Sequence, residues 1–256
     1  LIITSTRNDK VLRARSLSNK KGRLETGLHF IEGDKLVREA IISGAEIVDA
    51  FIEEGHDLMQ AILEGAGAEV KIVSRDVMKA LANTNEPQYV CATVKTPELE
   101  VPRFYDDGLI VVLDEVQDPG NLGTIIRTAD AFGAQGVLIS DDSADPFAPK
   151  PLRASMGSVY HIPIWRTELA PEIQKLTEQG FTLVCGHLKG SEEAPAITSK
   201  MALIIGNESR GVSDSLADIS YKYRLPIYGF AESLNASVAA GILIYKFANL
   251  MRGEKA

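Results

Sequence analysis

The chain has 256 residues, 45% of them hydrophobic, and a formal net charge of −8. That length suits one or two domains with sizeable cores, no apolar run is long enough to span a membrane, and the acidic balance argues against a protein that coats nucleic acid through bulk charge. Cys91 and Cys185 sit in apolar runs without zinc-ligand spacing, as expected of buried thiols in a reducing, cytoplasmic compartment; the four histidines are scattered, so no metal centre is expected.

In chain order, charge is the first signal. From Arg7 to Arg38, nine cations and four anions leave a local surplus of five positive charges in an acidic protein. Charge alone leaves two readings, a solvated face or a surface for an anionic partner. Apolar spacing then predicts a helix over 34–43 with Leu36, Val37, Ala40 and Ile41 on one face, a strand over 46–53, a helix over 58–63, a strand over 70–73, a helix over 77–81 and a strand over 89–94. This is the pattern of a small layered α/β domain over 1–95. Residues 96–108, with two prolines, many charges and no periodicity, read as a linker.

The part from 109 to 256 alternates again. Strands are expected over 109–116, 137–140, 161–165, 182–186, 202–206 and 223–227, as continuous apolar runs that suit a parallel sheet covered on both faces. A last helix over 235–251 carries a stripe of Val238, Ile242, Tyr245 and Leu250, richer with nearby Phe247 than one covered face requires. Behind the first of these strands stands "DPGNLGTIIRTADAFG", residues 118–133, a glycine turn opening a helix with Arg127 in its early turns. It lacks the G-x-G-x-x-G of a dinucleotide loop and the Gly-Lys-Ser/Thr of a P-loop.

Two further stretches repeat the arrangement of strand, loop and helix: "LIIGNESRGV" at 203–212 and "LPIYGFAESLNASVAAGI" at 225–242. With N-x-x-x-x-x-R-T-A at 121–129, they resemble, in order and spacing, the three motifs of the SpoU/TrmH family of RNA ribose methyltransferases. The N-terminal part, "SLSNKKGRLETGLHFIEGDKLVREAI" at 16–41, resembles the accessory RNA-binding domain of the rRNA-modifying members, a small ribosomal-protein-like α/β sandwich.

The resemblance implies an α/β fold whose C-terminal parallel sheet carries a deep trefoil knot, a homodimer whose active site is completed across the interface, and no membrane. It implies S-adenosylmethionine as cofactor, held by loops at 186–190, 206–211 and 225–235, with Gly186, Gly206, Leu225, Ile227 and Leu234 as contacts. It places Arg127 at the target ribose, where a guanidinium that keeps its proton at very high pH serves better to hold phosphate and stabilise a developing alkoxide than as a base. Asn121, Glu208, Ser233 and Asn235 match the remaining catalytic positions, and Lys20, Lys21 and Arg23 become candidates for RNA phosphate contacts. The implied substrate is RNA, with 23S rRNA favoured by the accessory domain; a tRNA methyltransferase and a non-catalytic RNA- or ribosome-binding protein are the alternatives.

Overall fold

The basic N-terminal stretch folds into two short helices that periodicity alone does not separate. Helix α1 (Asp9–Ser16) is capped by the Asn8 side chain, which accepts from the Lys10 N–H, and α2 (Lys20–Thr26) is closed by Gly27 at φ +64. Then come β1 (Leu28–Glu32), α3 (Asp34–Ile42), β2 (Ile47–Glu53), α4 (Asp57–Gly65), β3 (Glu69–Val73), α5 (Arg75–Leu81) and β4 (Val90–Lys95). The sheet order is β1-β4-β2-β3, antiparallel except for the β2–β3 pair. Val11, Ala14 and Leu17 of the first segment pack with Phe30, Phe51, Val77, Met78 and Cys91 in one core.

The computed structural model describes residues 2–253. They divide into a first unit, comprising the residues up to Glu98 together with Asp145–Tyr160, and a second, comprising Leu99–Ala144 and the chain from His161 onward. The second unit opens with β5 (Gly108–Leu113), α6 (Pro119–Ala131) and β6 (Gly136–Ile139). The chain then supplies α7 (Pro149–Ser155) and a 3-10 turn (Ser158–Tyr160) to the first unit. It continues through β7 (Ile164–Arg166), α8 (Leu169–Glu178), β8 (Thr182–Ser191), β9 (Lys200–Ile205), α9 (Asp214–Ala217), β10 (Tyr221–Tyr223) and α10 (Ala236–Met251). All strands of this sheet are parallel, in the order β10-β8-β9-β5-β6-β7. From the β10 edge the chain returns to the middle of the sheet, where α10 packs on α6, β5, β8 and β9. Such a return is the path that a trefoil knot requires.

Three local expectations change. Strand β8 continues through the expected loop at 186–190, because Gly190 admits the β10 backbone: a Cβ there would lie 2.4 Å from the Lys222 carbonyl oxygen. Strand β10 covers Tyr221–Tyr223 instead of running over 223–227, because Tyr223 already pairs with Ser191, the last residue of β8, and no partner strand lies beyond it. On α10 the buried side is Ala240, Leu243, Ile244, Phe247 and Ala248, while Val238, Ile242 and Tyr245 are exposed.

Candidate active site

Two neighbouring strands end level, with Ile205 of β9 beside Leu113 of β5, while β8 pairs with β9 as far as Cys185–Ile204 and then runs on past them. Open parallel sheets bind ligands at this edge, where the loops diverge. Beyond β5, Glu115 takes a left-handed conformation (φ 56) and the chain turns into α6. Asp118 caps that helix, accepting from the N–H groups of Gly120 (2.8 Å) and Asn121 (2.9 Å), and Pro119 supplies a first helical position that needs no N–H. Asn121 is thereby fixed in the first turn and is 8% exposed.

Glu208 is brought to the same helix start by the loop after β9. Its carboxylate accepts from Asn121 Nδ2 (3.0 Å) and from the backbone N–H groups of Asp118 (3.0 Å) and Gln117 (3.3 Å). Partial burial alone would push its pKa up. The hydrogen bonds from Asn121 and from backbone N–H groups outweigh burial and hold it below the usual carboxylate range. The Glu208 loop is itself braced. Asn207 and Gly211 exchange backbone hydrogen bonds, Asn207 Nδ2 donates to the Glu115 carbonyl (2.9 Å), and Arg210 pairs with the Glu115 carboxylate. Gly206 must be glycine, since a Cβ would lie 2.1 Å from the Val212 nitrogen.

Asn235 closes the network from a third segment. Its Nδ2 donates to Asn121 Oδ1 (3.1 Å), while its Oδ1 caps α10 by accepting from the N–H groups of Ser237 (2.9 Å) and Val238 (3.3 Å). Three of the expected catalytic residues, far apart in sequence, therefore form one hydrogen-bonded chain: Glu208, Asn121, Asn235.

Arg127 and Ser233 stand outside this chain. Both are exposed and their side chains make no hydrogen bond or ion pair among the described residues. Arg127 lies six residues beyond Asn121, so it projects about 120° away around α6. The exposed positions Thr124, Arg127 and Ala131 form one strip of α6. The neighbouring α10 exposes Val238, Ile242 and Tyr245, the last edge-on to Phe132.

Gly206 directly follows β9, Gly186 lies within β8 just past its last pair with β9, and Leu225 and Ile227 follow β10 on the way to Leu234 and Asn235. Leu225 and Ile227 are half-buried and Leu234 is exposed. Loops offering backbone polar groups beside apolar side chains suit an adenosyl group, which needs hydrogen bonds at its edges and apolar contact on its faces. Among the described residues no cluster of His, Cys, Asp or Glu is arranged to hold a metal ion.

The basic stretch divides on inspection. Arg7, Arg13, Arg15, Lys20 and Lys21 are exposed, and Lys21 lies 3.7 Å from Glu25. Arg23 is not available to phosphate: it is 7% exposed, bound to Asp145 through Nε and a second nitrogen (2.9 and 2.8 Å), and donates from Nη1 to the Leu17 and Ser18 carbonyls. Sequence reading passed over Asp118, Asn207 and the Glu115–Arg210 pair; Asp-Pro ahead of a helical pattern is a capping signal that marks the first of them.

The SpoU rRNA Methylase family matches residues 108–245, the span that holds the Glu208–Asn121–Asn235 chain. The chain belongs to that family. An MRM3-like substrate binding domain matches residues 8–92. Over 247 residues the protein is 38% identical to a 23S rRNA (guanosine(2553)-2'-O)-methyltransferase, RlmP, of Bacillus subtilis, covering 95% of this chain and 97% of the relative. An S-adenosylmethionine-bound rRNA methyltransferase from Sinorhizobium meliloti superposes with a TM-score of 0.88 at 33% identity, over 100% of this chain and 99% of that one. The SpoU methyltransferase AviRb of Streptomyces viridochromogenes, also solved with the cofactor, gives 0.87 at 28% identity, over 97% and 100%.

Proposed function

We propose that this protein transfers a methyl group from S-adenosylmethionine to a ribose 2'-hydroxyl of 23S rRNA, as a cytoplasmic homodimer. The reading is carried by the Glu208–Asn121–Asn235 chain at the C-terminal edge of a parallel sheet in a SpoU-family fold. It assigns RNA recognition to residues 1–95 together with 145–160, which belong to the first unit, and methyl transfer to the rest of 109–256, with 96–108 as the join. The cofactor supplies a methyl group on a sulfonium sulfur, a good leaving group that needs no Lewis acid. Gly186, Gly206, Leu225, Ile227 and Leu234 would hold it.

The remaining work belongs to side chains. The attacking oxygen gains negative charge, and a preorganised guanidinium stabilises that charge while its fork grips the adjacent phosphate. Arg127 is the residue for this, and its position away from Asn121 fits a role in the partner protomer's site. Glu208 is ionised and held low by its donors, which makes it a weak base and a firm anchor; it fixes the Asn121 amide. Asn121 then orients Asn235, and Ser233 lies beside that pair in sequence to meet the ribose. The exposed strips of α6 and α10 form the surface on which a second copy packs, since solvent-facing Val238, Ile242 and Tyr245 are a poor terminus for a monomer.

Mapping 2'-O-methyl sites in rRNA from cells with and without the protein tests the reading. One lost site in 23S rRNA is expected. A lost site in tRNA redirects the substrate, and unchanged methylation of all RNA identifies a non-catalytic binder.

A further inference from the structure

The first unit carries a cleft that the chemistry above does not use. It lies where β1 passes into α3, facing the 84–88 segment and α7, and its apolar lining comes from Leu36, Leu152 and Met156. Two cations, Lys35 and Arg153, also line it. Both side chains are exposed and make no hydrogen bond or ion pair among the described residues.

The one carboxylate in the lining does not oppose them. Glu32 is engaged by the Asn83 N–H (2.9 Å) and by the Thr84 hydroxyl. The cleft is also braced. Gln88 accepts from the Asp34 N–H (3.0 Å) and packs so closely on Gly33 (φ +100) that a Cβ there would lie 2.9 Å from its amide. Opposite, Met156 is held left-handed (φ 53) at the end of α7. Backbone in that conformation is strained for a side chain with a Cβ and is kept where the surroundings fix it.

We infer that this cleft takes one unpaired nucleotide of the RNA substrate, its base against Leu36, Leu152 and Met156 and its flanking phosphates on Lys35 and Arg153. The inference rests on the proposed function and adds to it an address within the first unit. Unstacked bases are what sequence-selective RNA readers hold, because the edges of a paired base in A-form RNA are out of reach. An apolar floor with two unpaired cations matches a nucleotide in both its parts. A duplex offers the same phosphates but no base to insert. Arg153 comes from the segment that returns to the first unit, so residues up to Glu98 alone do not complete the cleft.

The test uses the full chain, a labelled unstructured ten-nucleotide RNA of mixed sequence and an RNA duplex of equal charge. The double variant Lys35→Ala/Arg153→Ala alters exposed side chains only, and its melting temperature and S-adenosylmethionine affinity are expected to be unchanged. Its affinity for the single strand should fall at least about tenfold, and the slope of log affinity against log salt should flatten by about 1.4, the loss of two single-strand phosphate contacts. Duplex affinity should stay within about twofold. Equal losses on both RNAs would overturn the cleft in favour of a diffuse basic surface, as would no loss on either. Failure of the wild-type chain to bind either RNA would overturn RNA as the ligand, and the proposed function with it.

Discussion

The placement of Arg127 has a consequence that mixing two dead proteins can reveal. Arg127→Ala removes an exposed side chain with no partner among the described residues, so folding stability should change by less than about 0.5 kcal/mol. Turnover should fall about a hundred- to a thousandfold, the usual loss for one preorganised donor, with S-adenosylmethionine affinity within a few-fold by calorimetry. Arg127→Lys keeps the charge but not the fork and should rescue poorly. Glu208→Gln disables the other half of the site, replacing an acceptor of the Gln117 and Asp118 N–H groups with an amide. If Arg127 serves the partner's site, a heterodimer of the two variants contains one site with an intact network and an intact arginine, and one lacking both. Equal mixing with free exchange makes half the dimers mixed, so about one quarter of wild-type activity should return in an isologous dimer. The assay is tritiated methyl transfer to 23S rRNA after co-refolding. Each variant alone should stay near background. If the mixture also stays at background while a heterodimer is demonstrated by mass, Arg127 acts within its own chain and the argument from its position on α6 fails.

Sedimentation at micromolar concentration should give twice the chain mass, and Tyr245→Glu, which puts charge on the exposed strip of α10, should shift it toward monomer. Asn235→Asp keeps the oxygen that caps α10 but loses the donor to Asn121, so its melting temperature should hold while methylation falls at least about tenfold; Asn235→Ala should lose about 1 kcal/mol as well. Arg23→Ala leaves the Asp145 carboxylate without its partner and should destabilise the protein by about 2–4 kcal/mol, read by urea unfolding. Lys20→Ala/Lys21→Ala should leave stability unchanged and flatten the salt dependence of RNA binding. His29 is buried, and that burial lowers its pKa to about 3, with Asp145 opposing and Arg23 reinforcing the shift. The unfolded chain takes up a proton near pH 6.5 that the folded chain refuses. Stability is therefore full above that pH and should fall by about 2 kcal/mol on going to pH 5. A His29→Gln variant with the same slope over that interval would refute the assignment.

Much of the site is legible in the sequence because its signals are local. Asn121 stands three residues after a capping Asp118, Gly206 ends an apolar strand, and Asn235 precedes a helical pattern; each announces its backbone role within a few residues. The spacing of 121, 208 and 235 cannot show that their side chains bond to one another. Arg23 misleads for a related reason: among lysines and arginines it reads as surface, and only Asp145, 122 residues away, makes it a buried ion pair. Apolar stripes fail where two faces of a helix are apolar, as on α10, where the buried face and the exposed one differ by packing that periodicity does not encode. The end of β8 is not legible because a glycine that admits a neighbouring backbone looks like a turn, and the end of β10 is set by where β8 stops, which lies elsewhere in the chain.

The return of residues 145–160 to the first unit also sets an order of events during synthesis. Domains fold as units while the chain emerges from its N-terminus, yet this one cannot finish when its first 98 residues are out. His29 waits for the Tyr160 hydroxyl, 2.6 Å from its Nε2 in the finished fold, and Arg23 waits for Asp145. In between, the chain delivers β5, α6 and β6 of the other unit. The nascent protein therefore carries a half-built first unit, with a buried-to-be cation and imidazole still in water, until the start of the second unit's sheet has been made. A ribosome pausing before residue 145 would hold a chain whose first unit lacks the clasp that closes it.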